Sequence, residues 1–460
     1  MKKKIVLLFI IVNSSILFCQ TNYNKCNTTK LVNNELKNNS DYLKARNNTK
    51  KFTNKKLQKN TITIPIAIHI IHRTTHANIG SGTNISDEQI EDQLRILNED
   101  FSKTNPEFPN PPRNTFLNYA GNPELEFCLA TIDPDGNPTS GITRTATLQL
   151  NWDADDDSNN PCHEANGMKK TACGGKDGWD PTKYLNIWVC DLTNSQSNGM
   201  TLGYAYLPGL LANPFNTSDD YKDGLVVDYR YFGTIGVAAP SSDGRTPTHE
   251  IGHYLGLMHT FCESTDSQGN MTCCDNDDNT WGGFVDDTPA VKDIYFGPVN
   301  TNTNNNSCND LNYSNIFNTN VLDMDENYMS YASNTWMFSQ GQVDVMLSTL
   351  NTSEIGGGRA SLKNSNITTN CSGIISSLNN LSSNIKVNIY PNPSKGEIYI
   401  NSNNKINTIS ISNTLGKEII SDARANDNNL LNLNQLNNGL YFLKISTEQE
   451  IITKRIIISK

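Results

Sequence analysis

The feature that most constrains this chain is an eleven-residue stretch, residues 249–259, which reads His-Glu-Ile-Gly-His-Tyr-Leu-Gly-Leu-Met-His. Side chains four positions apart leave the same face of a helix, so His249 and His253 can bind one ion together. Gly256 can adopt a left-handed backbone that ends the helix. The chain can then turn and bring His259 back as a third ligand.

This spacing predicts a zinc site of the catalytic kind. Zn²⁺ binds His nitrogen well, and catalytic sites keep one position open for water, whereas structural sites are closed by a fourth protein ligand. Glu250 lies beside the first ligand, where it can accept a proton from water that zinc has acidified to a pKa of about 7. The alternative is a structural zinc site, for which Cys262 is the nearest fourth ligand.

Three further stretches accompany the histidine motif. Thr260-Phe261 follows it directly, residues 285–289 read Val-Asp-Asp-Thr-Pro, and residues 327–331 read Asn-Tyr-Met-Ser-Tyr. With these stretches the chain resembles the pappalysin family of metzincins, which are secreted zinc endopeptidases. The resemblance implies an α/β (α+β) catalytic domain with a mixed sheet, a backing helix and a zinc helix.

The same resemblance implies roles for two residues after the motif. Met329 matches the family's Met-turn, where a Met forms an apolar floor under the zinc. Tyr331 matches a Tyr that approaches the metal or the reacting oxyanion, and a Tyr hydroxyl suits developing negative charge. Many relatives also carry an Asp shortly afterwards, which favours Arg or Lys just after the cut bond. Residues 332–336 read Ala-Ser-Asn-Thr-Trp, so the resemblance does not carry that preference to this chain.

Residues 1–19 are typical of a secretory signal peptide. Three lysines precede an apolar stretch that polar residues interrupt, which makes it too short to span a membrane. We expect cleavage near Cys19 and Gln20. A lipoprotein is the alternative, although Phe18 is large where that processing needs a small residue. Since no other stretch is apolar enough to cross a bilayer, we expect an exported protein without a membrane span.

Residues 20–60 are interpreted as a pro-segment. They are rich in Lys and Asn, show no clear periodicity and are expected to bury little surface. Activation would require a cut between Arg46 and Lys59. In the resembled family a pro-segment Cys can bind the zinc and displace its water, and thiolate is a good zinc ligand. Cys26 is the candidate for this zymogen latch.

The alternative for Cys26 is a disulfide. The chain has 11 Cys, and setting aside Cys19 with the signal and Cys26 as the latch leaves nine. An odd number means that a second thiol would be unpaired, for which Cys371 is a candidate. Exported proteins can keep disulfides.

Residues 61–355 are predicted to form the catalytic domain. A buried strand is expected at 61–72, where His69 and His72 face opposite sides and are sheet or surface residues rather than ligands. Ser86 and Gln89 predict a capping box for the backing helix, residues 86–101. Further strands are expected at 125–132, 184–191, 202–207 and 225–232, and a last helix after Ser339. In the resembled family a strand like 202–207 lines the cleft and pairs with a peptide.

Two regions combine Cys with clustered Asp. Residues 151–180 are interpreted as a loop held by a Cys162–Cys173 bridge, with an ion site as the alternative. The later cysteines are expected to form disulfides rather than bind metal. Carboxylates between them suit Ca²⁺, which prefers oxygen ligands, so a structural calcium ion is a further prediction. The later residues concerned are Cys262, Cys273, Cys274, Cys308, Asp275, Asp277, Asp278, Asp286 and Asp287.

The C-terminal part of the chain changes character. Residues 356–384 are predicted to form a linker, and residues 385–460 a small β-sandwich of short strands. Tyr-Pro-Asn-Pro at 390–393 and Gly-Leu-Tyr-Phe-Leu-Lys-Ile at 439–445 resemble the sorting domain of type IX secretion cargo. This implies recognition by the type IX machinery and export to the cell surface. The alternative is an adhesive or carbohydrate-binding sandwich.

These observations predict a secreted zinc metalloendopeptidase that acts on protein or peptide substrates, with Glu250 as general base. A formal net charge of −10 argues against nucleic acid as a partner, because phosphate binding needs a basic face. We expect a monomer. The alternative from another class is a catalytically inactive surface adhesin on a metzincin scaffold.

Overall fold

The computed structural model divides into two compact units, Met1–Thr368 and Thr369–Lys460. The predicted signal, Cys371 and most of the predicted linker lie outside the described residues. Within the described ranges, no helix is both long and apolar enough to cross a membrane. The structure describes residues 23–49, 61–154, 162, 165–193, 199–239, 241–274, 285–313, 316–365, 387–392, 394–402, 405–413, 418–423, 430–447 and 451–460.

The larger unit is built on a seven-stranded mixed sheet in which the strands follow the order β1-β6-β7-β5-β2-β3, with β4 also paired to β2. All pairs are parallel except β6 with β7. Nine consecutive residues of β2 are buried, as expected for a strand covered on both faces. The strands are β1 (Tyr23–Cys26), β2 (Ile62–Arg73), β3 (Leu125–Leu129), β4 (Ile142–Thr147), β5 (Leu185–Cys190), β6 (Met200–Ala205) and β7 (Leu225–Asp228).

Helices pack on this sheet around one large apolar core. Ile90 and Leu97 of α3 meet Ile251 of α4 and Val343 of α5 in that core, so the predicted backing and zinc helices are present. The α-helices are α1 (Thr28–Asn38), α2 (Ser40–Thr49), α3 (Asp87–Phe101), α4 (Arg245–Tyr254) and α5 (Gln340–Asn351).

One capping prediction needs correction. Ser86 accepts a hydrogen bond from the amide of Gln89, but the Gln89 side chain donates to the carbonyls of Tyr229 and Phe232 instead of returning to the cap. The complete capping box occurs on α5, between Ser339 and Gln342.

The expectation that residues 20–60 bury little surface is wrong for 23–49. This segment forms β1, α1 and α2, and the α1 residues Leu31, Val32 and Leu36 are buried in a second core. That core is completed by residues of the catalytic part, including Tyr204 and Leu207. Because the partner surface supplies most of the apolar area, the short stripe on α1 is enough to fix the helix.

The first residues of the predicted linker pack against the catalytic part of the chain. Leu362 is buried in the main core, and the guanidinium of Arg359 is buried against Asp223 and the main chain of Tyr254. A charged side chain of this kind is buried only with partners. We therefore propose that the catalytic unit continues past 355, to at least residue 365.

The smaller unit is all-β, as predicted. It contains a four-stranded sheet in the order β11-β10-β13-β14 and a three-stranded sheet in the order β12-β9-β8. Isoleucine and leucine side chains from both sheets form one core, the arrangement of a small sandwich. The strands are β8 (Val387–Tyr390), β9 (Glu397–Ser402), β10 (Ile406–Asn413), β11 (Glu418–Ala423), β12 (Leu430–Asn432), β13 (Gly439–Thr447) and β14 (Ile451–Ile458).

Most of the described cysteines form disulfides, as predicted, but the second free thiol among them is one that the sequence analysis did not name. The Cys162–Cys173 bridge is confirmed, and the later cluster forms Cys262–Cys274 and Cys273–Cys308. Cys128 is also disulfide-bonded. Among the described residues, the free thiols are Cys26 and Cys190, so the second unpaired thiol in that part of the chain is Cys190.

Candidate active site

Helix α4 brings the three histidines of the motif together. The Nε2 atoms of His249, His253 and His259 lie 3.1–3.2 Å from one another. The helix ends at Tyr254, and Gly256 has a φ of +105°. Residues that carry a side chain rarely adopt such a positive φ. This turn is what returns His259 to the helix face.

The second nitrogen of each ring fixes which nitrogen faces inward. Nδ1 of His249 lies 2.7 Å from the carbonyl of Tyr328, and Nδ1 of His253 lies 2.8 Å from that of Leu257. Nδ1 of His259 lies 3.2 Å from a carboxylate oxygen of Glu263. A carbonyl can only accept, so Nδ1 carries the proton in His249 and His253, and their Nε2 lone pairs point toward Nε2 of His259.

Converging lone pairs are stable only around a cation. Burial, followed by the neighbouring imidazoles, lowers the pKa of His253 to about 3 and holds that of His249 well below its usual value. Neutral imidazoles are the form that binds metal. Nitrogens about 2.0–2.1 Å from a tetrahedral zinc would lie about 3.3 Å apart, so these residues fit a zinc ion.

Glu250 is buried beside the histidines, and burial raises its pKa to about 8. Its Oε2 atom lies 3.5 Å from Sγ of Cys26 and 3.2 Å from the hydroxyl of Thr28. Strand β6 passes close by, because a Cβ added to Gly203 would lie 2.9 Å from Cγ of Glu250. The glycine thus leaves room for the carboxylate that the sequence predicts as general base.

Cys26 completes the group around the histidines. Its sulfur and one nitrogen from each of the three histidines all lie within 4.8 Å of one another. In the part of the chain that the structure describes, this is the one group of His, Cys, Asp or Glu found with the geometry to hold a metal ion. Burial, and then the carboxylate of Glu250, raise the pKa of the Cys26 thiol.

Met329 and Tyr331 lie next to the histidines, as the resemblance implies. Met329 is fully buried, and a Cβ added to Gly252 of α4 would collide with its sulfur. The ring of Tyr331 packs edge-on against His259, and its hydroxyl donates to the carbonyl of Cys26 at 3.4 Å.

A cavity of about 530 Å³ opens beside this cluster. The Nζ atom of Lys25 donates to the carbonyls of Tyr331 and Ala332 at 2.9 and 2.8 Å, and Asp243 lines the same cavity. Burial lowers the pKa of Lys25 to about 8, and the carboxylate of Asp243 acts in the opposite direction. The cavity could not be predicted from the sequence, because Lys25 and Tyr331 are 306 positions apart in the chain.

Other predicted ligands have other partners. Cys262 is in a disulfide, so the fourth ligand of the structural-zinc alternative is not available. The ring of His69 is held by Thr143 and Asn186, as expected for a sheet residue. Asp287 accepts from the hydroxyl of Ser339 and the amide of Gly341 at the start of α5. Asp275, Asp277 and Asp278 lie outside the described residues.

Sequence reasoning missed one residue that holds the site together. Asp100, near the end of α3, is buried and accepts hydrogen bonds of 2.7 Å from the hydroxyls of Thr248 and Tyr328. It also forms an ion pair with Arg245. Asp100 therefore joins the backing helix, the zinc helix and the Met-turn. The sequence offered one indication of this role, which is that Asp100 stands next to the buried Phe101 at the end of the apolar stripe of the helix.

Comparison with known proteins places both units. Residues 171–351 match the family model described as Pregnancy-associated plasma protein-A, and residues 388–459 match the Secretion system C-terminal sorting domain. An extracellular metalloprotease of Arthroderma gypseum is 28% identical over 287 residues, which cover 62% of this chain and 71% of the relative.

Solved structures of a bacterial relative are similar as well. Mature mirolysin of Tannerella forsythia, in complex with a cleaved peptide, shares 32% identity with a TM-score of 0.51, over 66% of this chain and 97% of that one. A promirolysin mutant from the same organism shares 29% identity with a TM-score of 0.56, over 74% and 96%. The histidine cluster, the metzincin-like sheet and the sorting domain agree with these matches: the chain belongs to the pappalysin family and is a zinc metalloendopeptidase secreted through the type IX system to the cell surface.

Proposed function

We propose that His249, His253 and His259 hold the catalytic zinc of this endopeptidase and that Glu250 is its general base. The observation that carries the proposal is the convergence of three Nε2 atoms, 3.1–3.2 Å apart, next to a buried carboxylate. When bound, the zinc supplies Lewis-acid chemistry, polarising a carbonyl and making water more acidic.

Glu250 performs the proton transfers in this proposal. As a carboxylate it accepts a proton from the attacking water and then donates that proton to the leaving amine. With the pro-segment in place, burial raises its pKa to about 8. A general base works best when its pKa is close to the operating pH.

Tyr331 and Met329 support the reaction in different ways. The Tyr331 hydroxyl lies at the edge of the histidine cluster, where it donates to the carbonyl of Cys26. In the mature enzyme we propose that it donates to the oxyanion that develops on the scissile carbonyl. Met329, packed under Gly252, is the apolar floor that fixes the position of α4.

Residues 20–60 are proposed to keep the enzyme latent. Strand β1 pairs with β6, with Cys26 opposite Gly203, so the pro-segment occupies the strand edge at which a peptide substrate would add. Cys26 is the proposed latch, because its sulfur is the fourth donor of the histidine cluster. Arg46 is buried and donates to the carbonyl of Pro208, so we propose that activation requires a cut after it and before Lys59.

Three finer points complete the proposal. Residues 1–19 act as the signal peptide, and the mature enzyme is a monomer, which light scattering would test. A structural calcium ion is proposed for the acidic loops between Cys262 and Cys308. Calcium-dependent thermal stability of the zinc-loaded enzyme would test it.

The deciding experiment compares cleavage of casein by the mature protein, Glu250→Ala and Tyr331→Phe, with bound zinc measured in each. We expect zinc in all three, a loss of at least ~100-fold in kcat for Glu250→Ala, and a smaller loss for Tyr331→Phe. If the zinc-loaded wild type cleaves nothing across a diverse peptide library, an inactive surface adhesin would replace this proposal.

A further inference from the structure

The residues on either side of the His249 ring share one buried carboxylate. Oδ2 of Asp100 accepts a hydrogen bond of 2.7 Å from the hydroxyl of Thr248, and Oδ1 accepts one of 2.7 Å from the hydroxyl of Tyr328. Thr248 precedes His249 in α4, and the carbonyl of Tyr328 lies 2.7 Å from Nδ1 of His249. Asp100 is therefore connected to this histidine in two ways, through the main chain of α4 and through the Tyr328 carbonyl.

The position of the Tyr328 carbonyl depends on three contacts of that residue. The Tyr328 amide donates to the carbonyl of Met337 at 2.8 Å, and the ring packs against Phe338 with centroids 4.7 Å apart. Both of these partners belong to the segment that follows the Met-turn. The third contact, from the hydroxyl to Asp100, is the one that leads to the backing helix α3. It ties the hydrogen-bond acceptor of His249 to the helix that packs on α4.

The charge of Asp100 is balanced at the start of the zinc helix. Nε of Arg245, the first residue of α4, lies 3.3 and 3.4 Å from the two carboxylate oxygens. Gln93, another buried polar residue of α3, donates to the carbonyl of Gly244 at 2.9 Å. Burying a carboxylate costs free energy unless it is paired and hydrogen-bonded, and an apolar residue would avoid that cost. The burial of Asp100 therefore points to a role other than stability.

The orientation of a metal-binding histidine is set by the acceptor of its second nitrogen. The bond from Nδ1 of His249 to Tyr328 fixes the tautomer and the plane of the ring, and so the direction of the Nε2 lone pair. Loss of such a supporting hydrogen bond typically weakens metal binding about 10- to 100-fold. His253 is held differently, because its Nδ1 bonds to the carbonyl of Leu257 at 2.8 Å.

We propose that Asp100 is the positioning residue for the zinc ligand His249. Its carboxylate holds the hydroxyls of Thr248 and Tyr328, so that the Tyr328 carbonyl keeps the His249 ring in the orientation that binds zinc. The inference rests on the proposed function, because it requires His249 to be a zinc ligand. The backing helix thereby acts on the metal site through hydrogen bonds, without contacting the metal.

The first test measures zinc affinity by competition with a chelator of known affinity. It uses mature Glu250→Ala, which does not digest itself, as the parent protein. Tyr328→Phe removes the hydroxyl that reaches Asp100 and keeps the ring against Phe338, whereas Asp100→Ala removes the carboxylate. We expect each change to weaken zinc binding at least ~10-fold. The double variant should bind zinc no more weakly than Asp100→Ala alone, because both changes break the same contact.

The matched control is Tyr184→Phe. It removes a buried tyrosine hydroxyl that donates to the carbonyl of Ile132 at 2.9 Å in a separate small core, and it should bind zinc as tightly as the parent. Equal zinc affinity of the parent and a folded Tyr328→Phe would overturn the positioning role and leave the endopeptidase proposal standing. A parent that binds no zinc would overturn both.

A second measurement follows the histidines one at a time. In the cobalt-loaded parent, the Nδ1 protons of the bound histidines give separate NMR signals that the metal shifts away from the rest of the spectrum. We expect Tyr328→Phe to move the His249 signal and to speed its exchange with water. The His253 signal should stay in place, because its acceptor is Leu257. Equal changes in both signals would show that the variant loosens the whole site and would overturn the assignment to His249.

Discussion

The hydroxyl of Thr28 lies 3.2 Å from Oε2 of Glu250 and also accepts a hydrogen bond from the amide of Ala205. Sγ of Cys26 approaches the same carboxylate oxygen at 3.5 Å. The first turn of α1 and the end of β1 therefore cover the proposed general base and the histidine cluster together. We propose that the catalytic groups are already assembled in the zymogen and that the pro-segment blocks access to them.

Replacing the proposed latch should release activity before the pro-segment is removed. A serine hydroxyl is a much poorer zinc ligand than a thiolate, so full-length Cys26→Ser should cleave a short peptide at least ~10-fold faster than the wild-type zymogen. Asn33→Ser, an exposed change on α1, should stay latent. The initial rate, recorded before any processing appears on a gel, is the measurement.

Absorption spectroscopy can show whether Cys26 binds the metal ion or only covers the site. In cobalt-loaded Glu250→Ala zymogen, which cannot process itself, a thiolate ligand should produce a sulfur-to-metal charge-transfer band that disappears in the Cys26→Ser double variant. If the band is absent while the metal is bound, Cys26 does not ligate, and latency would depend on coverage by β1 and α1.

The zinc motif could be predicted from the sequence because its geometry is local. His249, Glu250 and His253 share one helix, and Gly256 supplies the left-handed turn that returns His259. Met329 came from resemblance alone, because nothing within its own segment indicates that it packs under Gly252.

The rest of the site could not be predicted because it depends on contacts between distant segments. Lys25 reaches Ala332 across 307 positions, and Asp100 reaches Tyr328 across 228. The helices of the pro-segment were missed for the same reason, since α1 buries Leu31 and Val32 in a core that α1 does not itself supply. A short apolar stripe among Lys and Asn residues does not by itself predict a helix, because such a pattern also occurs by chance and the surface that it packs against is not known from the sequence.

The buried His69 should make the folded protein less stable in mild acid. Its ring is fully buried between Thr143 and Asn186, and burial lowers its pKa to about 4. In the unfolded chain a His has a pKa of about 6.5. Between these two pKa values the unfolded state binds more protons, so the free energy of unfolding rises with pH across this window.

The size of this effect can be measured with a variant that does not titrate. Between pH 7 and pH 5, protonation of His69 in the unfolded state should lower the free energy of unfolding by about 2 kcal/mol. The His69→Gln variant should not show this decrease. Urea unfolding at both pH values, in the Glu250→Ala background, gives the difference between the two proteins. The zinc-site histidines are common to both and cancel. If the two proteins lost the same stability between pH 7 and pH 5, the pKa of His69 would be the same in the folded and unfolded states, and the prediction would be wrong.

The segment after α5 should prove part of the catalytic unit. The Arg359 guanidinium is buried, pairs with Asp223 at 2.7 Å, donates to the carbonyl of Tyr254 at 2.8 Å and stacks on the Tyr254 ring. Arg359→Met would leave the Asp223 carboxylate buried without its partner, and breaking a buried pair in this way costs about 3–5 kcal/mol. Because Tyr254 is the last residue of α4, the loss should also loosen the zinc helix.

Two further variants distinguish this pair from ordinary surface charge. Adding Asp223→Asn to Arg359→Met should recover part of the loss, because the unpaired buried charge is then gone. Lys183→Met, which removes the cation of an exposed ion pair with Asp180, should cost at most about 1 kcal/mol. All five Trp lie in the larger unit, so fluorescence-detected unfolding reports on that unit. If Arg359→Met lowered the free energy of unfolding by less than about 1 kcal/mol, residues 356–365 would be assigned to the linker, as the sequence predicted.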